Sequence, residues 1–291
     1  MAEYSKTSGV ALKITEYSES SQIITLWTRD FGKLQAIAKG ARRQKHGGGA
    51  GIGLLDLCEL VFVKKPPPAL NIIASWQVLD GLPGLRTGLS RLYAAMYAAE
   101  FVSRATEEGD PEPQIFRLLV SFLRALAAGA SCYPALLRFE LLLLLNVGLA
   151  PHTTSCATCG AEPGQAPRFS PEAGGVVCGN CARAHPAAAG LAVSRDVLNA
   201  MALLSAKRTA SSQLNLSNIM IRQIRLLLDG HITYHLGRPL EMRKYVNPQD
   251  SRGEQRRTTE KPSLLARRWE ARRSGPPYAG CDGRTSAGME R

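Results

Sequence analysis

Four cysteines in two pairs carry the sharpest chemistry in this chain: Cys156-x2-Cys159 and Cys178-x2-Cys181, with eighteen residues between the pairs. That spacing is the pattern of a four-thiolate zinc site. Gly160 follows the first pair and Gly179 lies inside the second. Small residues there let the backbone bend until both thiolates of a pair reach one tetrahedral ion. Four cysteines leave no open position for water or substrate, so the expected cofactor is one structural Zn2+ and not a catalytic one. Two disulfides would need an oxidising compartment. A redox C-x2-C would need a βαβ context, which is missing. His152 and His185 flank the ribbon and could replace a cysteine. Cys58, in an apolar strand pattern, and Cys132, beside helical segments, read as small core residues. Neither they nor Cys281 has a partner at ligand spacing.

The second chemistry is basic. The net charge is +12, which favours a polyanionic partner, most often nucleic acid. Lys33, Lys39, Arg42, Arg43 and Lys45 fall in one stretch without an acid, and Lys64 and Lys65 follow a later apolar run. These seven residues are the candidate phosphate contacts. The neighbouring Gly49-x-Gly51-x-Gly53 lacks the Gly-Lys-Ser/Thr ending of a P-loop, and no helical pattern follows it. A basic loop that reaches a nucleic-acid backbone fits better than a mononucleotide site, with a plain solvated loop as the bland alternative. Trp27 and Phe31 are candidates to stack on bases, although core packing is expected of at least one.

Enzyme chemistry finds no footing. The chain has no H-E-x-x-H, G-x-S-x-G or Walker A pattern, and no H-x-E of a zinc deaminase. His231 and His235 stand four apart but lack a third ligand, so they read as packing or polar-face residues. The expectation is a protein that is not an enzyme. The first thirty residues carry Glu3, Glu16 and Glu19 and no signal-like apolar stretch, which places the protein in the cytoplasm.

The elements that must position these residues divide by periodicity. Up to about residue 80 the period is two: Val10 to Ile14, Ile23 to Thr28, Leu34 to Lys39, Leu54 to Val63 and Leu70 to Val78 predict five short strands with a long connection after the third. That is a small closed barrel, of OB or SH3-like type. From residue 85 the period is helical. Leu136 to Val147 stops at Gly148, Ser194 caps a helix near 194–207, and a helix over 216–236 stops at Gly237 before Pro239. The class is α+β. Residues 1–80 form the barrel, 81–246 a helical domain with the ribbon inserted at about 152–185, and 247–291 a basic tail. The tail is rich in Arg, Gly, Ser and Pro, a composition that predicts disorder.

Four segments stand in an order that resembles one family: "ALKITEYSESSQIITLWTRDFGKLQAIAKGARR", "LLRFELLLLLNVGLAPHTTSCATCG", "FSPEAGGVVCGNC" and "YHLGRPLEMRKY". Over about residues 8–246 the chain resembles the RecO family of bacterial recombination mediators and DNA repair proteins. The resemblance selects the OB-fold over the SH3-like barrel. It implies binding to single- and double-stranded DNA, annealing of complementary strands, and partnership with RecR. It also implies engagement of the C-terminal tail of single-stranded-DNA-binding protein (SSB), and help in loading RecA onto SSB-coated strands. The family's basic barrel surface maps to Lys33, Lys39, Arg42 and Arg43, and its zinc cysteines to Cys156, Cys159, Cys178 and Cys181. Arg117, Arg124 and Arg138, basic residues on the helices, are the candidates for the SSB tail. The competing expectation is a zinc-ribbon adaptor between proteins with incidental DNA affinity. The triple glycine Gly47-Gly48-Gly49 and the tail after residue 246 depart from the family pattern.

Overall fold

The computed structural model describes residues 3–40, 51–66, 68–186, 190–206 and 216–246. Five strands, β1 (Tyr4–Glu16), β2 (Gln22–Thr28), β3 (Gly32–Ala38), β4 (Leu57–Val63) and β5 (Asn71–Asp80), close into a barrel in the order β1-β2-β3-β5-β4. This is the OB-type arrangement. β1 is long enough to serve two neighbours. Its first half pairs with β4 and its second with β2, and the register shifts between Ala11 and Lys13 where the strand turns from one to the other. β3 and β5 run parallel and pair only over Ala36–Ala38 and Asn71–Ile73, which leaves the first half of β3 unzipped from β5.

Side chains alternate across these strands, and both faces are used. Ala11, Ile24, Leu26, Cys58, Leu60 and Phe62 point inward to fill the barrel. Val10, Leu12, Trp27 and Leu57 point outward and are buried in the core of the helical domain. That is why Val10, Ala11 and Leu12 are consecutive apolar residues and all buried. Cys58 is a core residue, fully buried, with its thiol pushed up to about 12 by that burial. Cys132 packs against the helical core.

A 3-10 turn at Pro83–Thr87 leads from the barrel to α1 (Leu89–Ala105), α2 (Pro113–Ala127) and α3 (Cys132–Asn146). The ribbon follows, and then α5 (Arg195–Ser205) and α6 (Asn218–Leu236). The hydroxyls of Ser194 and Ser217 accept from the amides of Val197 and Met220, capping α5 and α6. Gly237, at φ 71°, ends α6 in the left-handed conformation that glycine takes without strain. The apolar core of this domain encloses one polar cluster. Glu140 of α3 is fully buried, and its Oε1 accepts from Tyr97 of α1 at 2.5 Å and from Arg225 of α6. One carboxylate therefore joins three helices. Leu136, Leu137, Leu141, Leu143 and Leu144 of α3 are buried with it.

The ribbon is a three-stranded sheet, β7-β6-β8, made of β6 (Arg168–Ser170), β7 (Gly175–Val177) and β8 (Leu191–Ala192), with α4 (Gly179–Ala184) after β7. Its last strand lies beyond the end read from the sequence at about residue 185. His152 ties the ribbon to the helices with its backbone. Its amide donates to Gly174 at 2.9 Å and its carbonyl accepts from Val176 at 2.8 Å.

Candidate nucleic-acid groove and metal centre

The four cysteines come together. The sulfurs of Cys156, Cys159, Cys178 and Cys181 all lie within 4.8 Å of one another. The Cys159 and Cys178 sulfurs are 3.8 Å apart, the edge of a tetrahedron whose ligands sit about 2.3 Å from a central ion. The amide of Cys178 donates to the Cys156 sulfur at 3.3 Å, and that of Cys181 to the Cys178 sulfur at 3.5 Å. Such amide bonds favour thiolates. Burial raises the Cys156 thiol, but the amides of Cys178, Cys159 and Thr158 outweigh it and bring the group down to about 6. Cys181 goes the other way: contact with the Cys159 and Cys178 sulfurs pushes it up to about 12. Four sulfurs this close cannot all ionise on their own, and a cation removes the conflict. The donor set fits a metal ion. His152 and His185 do not belong to it; both side chains are exposed. Among the described residues this is the one cluster that could hold a metal.

His231 and His235 form no such site. His231 is buried, its Nε2–H donates to the carbonyl of Leu149 at 2.8 Å, and its ring packs on Phe169 and His235. It joins α6 to the root and sheet of the ribbon. Burial, with a smaller contribution from His235, pushes it down to about 4 against the opposing bond to Leu149.

The basic residues divide. Lys33, Lys64 and Lys65, thirty residues apart in sequence, line a single groove of about 380 Å³ on the barrel. One wall is Phe31 and the unzipped start of β3, Lys33 to Gln35, with Glu108 and Gly109 beside it; the other is Lys64 and Lys65 with Pro68 to Asn71. Asn71 fixes the distance between the walls, its Oδ1 accepting from the Lys65 amide at 3.1 Å and its Nδ2 donating to Gln35 at 2.9 Å. Lys39 is exposed just past β3. Arg42, Arg43 and Lys45 lie outside the described residues, as does the tail after residue 246.

Lys33 is not placed as the sequence reading expected. Its ammonium donates to the carbonyls of Ser103 and Thr106 at the end of α1, at 2.7 and 2.5 Å. Those carbonyls are the unpaired acceptors and negative pole of that helix, so a lysine is the natural cap. The charge expected to meet phosphate instead fastens the barrel to the helical domain. Of the candidate aromatics, Trp27 is wholly buried between barrel and helices, which removes it from the groove. Phe31 is half-buried on the groove wall and meets Phe62 edge to face at 5.2 Å. On the far wall the sequence marks Lys64 and Lys65 but not Asn71, which follows Leu70 just past the proline-rich run.

The arginines of the helical domain are also committed in part. Arg138 donates to the carbonyls of Leu204 and Ala206 at the end of α5, and Arg124 pairs with Asp80 at 3.5 Å. Arg117 is exposed on α2. Among the described residues no helix is long and apolar enough to cross a membrane.

Comparison with known proteins covers both halves of the chain. The family profile described as Recombination protein O N terminal matches residues 1–82, and that described as Recombination protein O C terminal matches residues 86–244. A protein named DNA repair protein RecO from Anaeromyxobacter sp. (strain Fw109-5) is 34% identical over 251 residues, covering 85% of this chain and 97% of the relative. Its namesake in Myxococcus xanthus is 32% identical over 234 residues, 80% of this chain and 92% of the relative. Another, from Desulfitobacterium hafniense, reaches 36% over 175 residues, 59% of this chain and 62% of the relative.

Proposed function

The chain belongs to the RecO family of DNA repair proteins, and on that premise we propose that it works as a recombination mediator and not as an enzyme. It binds single- and double-stranded DNA and anneals complementary strands. With RecR it helps load RecA onto single-stranded DNA coated by SSB. Its direct partners are DNA, RecR and the C-terminal tail of SSB, with RecA reached indirectly, and it acts in the cytoplasm at the nucleoid. Arg117 and Arg124, both exposed on α2, are the basic candidates for the SSB tail, with Arg138 turned toward the end of α5.

The observation that supports the DNA reading best is the groove on the OB-type barrel, with Lys64 and Lys65 on one wall and Phe31 on the other. OB barrels bind oligonucleotides across the strand 2–3 face and the loops beside it. The proposed phosphate contacts are Lys64 and Lys65 by their place in the groove, Lys39 by its exposure, and Arg42, Arg43 and Lys45 by their sequence. Phosphate contacts are sequence-independent, which suits a protein that must act on any gap. Lys33 leaves this set for the reason given above.

The metal of the four-cysteine cluster is proposed to be zinc, the usual ion for four thiolates in tetrahedral geometry. Bound there it would supply structure only, holding the two cysteine knuckles against the short sheet. Chemistry on DNA is not asked of it.

Reconstitution tests the function directly. With RecR, SSB and RecA, the protein should shorten the lag before RecA filaments form on SSB-coated strands, and it should anneal complementary oligonucleotides without nucleotide hydrolysis. A protein that binds RecR or SSB but neither DNA nor RecA loading would instead be the zinc-ribbon adaptor.

A further inference from the structure

The groove on the barrel has features that a surface for duplex phosphates would not need. It is recessed, its volume of about 380 Å³ falls within the roughly 300–1,000 Å³ of small-ligand sites, and much of its lining is apolar: Phe31, Leu34, Phe62 and Leu70. We infer that this groove takes one unpaired nucleotide, its base against Phe31 and its phosphates toward Lys64 and Lys65, so that it selects single strands. The inference rests on the DNA-binding reading above and deepens it.

The aromatic wall is built to stay in place. The Phe31 amide donates to the Thr28 hydroxyl at 3.1 Å, and that hydroxyl donates to the Gly32 carbonyl at 2.8 Å, closing the turn. Gly32 has φ 64°, and a side chain there would begin 2.1 Å from the carbonyl oxygen of Asp110. Only glycine lets the turn pass under the α1–α2 connection, so Phe31 is presented at a fixed angle against Phe62. A preset ring loses little freedom on binding, which favours a stack.

Charge orders the ligand. Lys64 is exposed and Lys65 half-buried on one wall. The carboxylate of Glu108 is exposed on the other, beside β3. Lys33, on the same wall, has its ammonium turned to α1. A phosphate is therefore drawn to the Lys64–Lys65 wall and repelled from the Glu108 wall, which leaves the base for the Phe31 side. In a duplex each base is stacked on both faces and its edges are paired, so it cannot enter a recess of this size. A splayed single strand can offer one base-face at a time.

The experiment uses the full chain and a single-stranded oligonucleotide carrying one 2-aminopurine, a base whose fluorescence falls when it stacks on an aromatic ring. On saturation with the parent protein, the fluorescence of 2-aminopurine should drop below that of the free strand. Phe31→Leu, which keeps an apolar side chain against Phe62, should restore it and weaken single-strand binding about tenfold, the size of one base–aromatic stack. Duplex affinity and the salt dependence should stay unchanged. Lys64→Gln with Lys65→Gln should instead flatten the salt dependence. If the parent binds single strands with no change in 2-aminopurine fluorescence, the groove does not hold a base, and the DNA-binding reading survives without it. If Phe31→Leu weakens single and double strands equally, base selection is overturned. If the parent binds no DNA at all, the functional reading falls first and takes this inference with it.

Discussion

The ammonium of Lys33, in β3, lies 2.5 Å from the carbonyl oxygen of Thr106, at the end of α1. It is the side-chain counterpart of the apolar seam made by Val10, Leu12 and Trp27, and the Gly109 amide reinforces it by donating to the Lys33 carbonyl at 2.9 Å. Barrel and helices are thereby joined at a residue that also borders the groove.

Lys33→Met should consequently act on stability before it acts on DNA. Loss of two charge-assisted bonds to helix-end carbonyls should cost about 2 kcal/mol, a drop in Tm of several degrees for a chain of this size. The slope of DNA affinity against salt should remain that of the parent. Calorimetry beside a binding series checks both.

Glu140 and Arg225 should show a larger effect. Arg225→Met leaves a buried carboxylate without its cation and should cost about 3–5 kcal/mol. Adding Glu140→Leu to that variant should recover much of the loss, because two apolar side chains of similar length leave no charge stranded. Denaturant titration of the two variants measures the difference.

His231 makes stability depend on pH. Folding depresses its pKa from about 6.5 to about 4. Between those values the unfolded chain binds a proton that the folded chain does not, so stability falls as pH falls through that window and levels off below it. The contribution at neutral pH is up to about 3 kcal/mol. His231→Gln should flatten the loss between pH 6.5 and 4, read from Tm against pH.

The cysteine cluster should bring one metal ion per chain, read by elemental analysis of protein purified without chelator. Cys159→Ser should lower the content sharply. It should loosen the ribbon, seen as faster amide exchange at Val176 and Val177, while exchange in β1 and β2 stays slow. Metal-free protein with an unchanged ribbon would contradict the assignment.

Much of this fold was legible in the sequence, for identifiable reasons. Alternation marked all five strands because each strand buries an inward set of side chains. The helices announced their ends through Ser194, Gly148 and Gly237. The cysteine pairs, being local in sequence, could be read as one site from spacing alone, and their sulfurs do converge. What was not legible is what depends on long-range closure. Nothing near Lys33 in sequence signals Ser103 or Thr106, seventy residues away, so a basic residue in a basic stretch was read as a phosphate contact. The outward burial of Trp27 likewise depends on a helical domain that the strand pattern knows nothing of. The groove exists only because β3 and β5 part before Ala36, a register that no local pattern encodes.

The measurement that bears most directly on the central claim is single-strand binding by the full chain over a salt series, parent against Arg42→Gln with Arg43→Gln. The account predicts that the parent neutralises about four phosphates, giving a log-log slope of roughly −3. The double variant should show a shallower slope and slower annealing, with metal content and Tm unchanged. A parent whose affinity for single strands is independent of salt, or that fails to bind them at physiological salt, would contradict it.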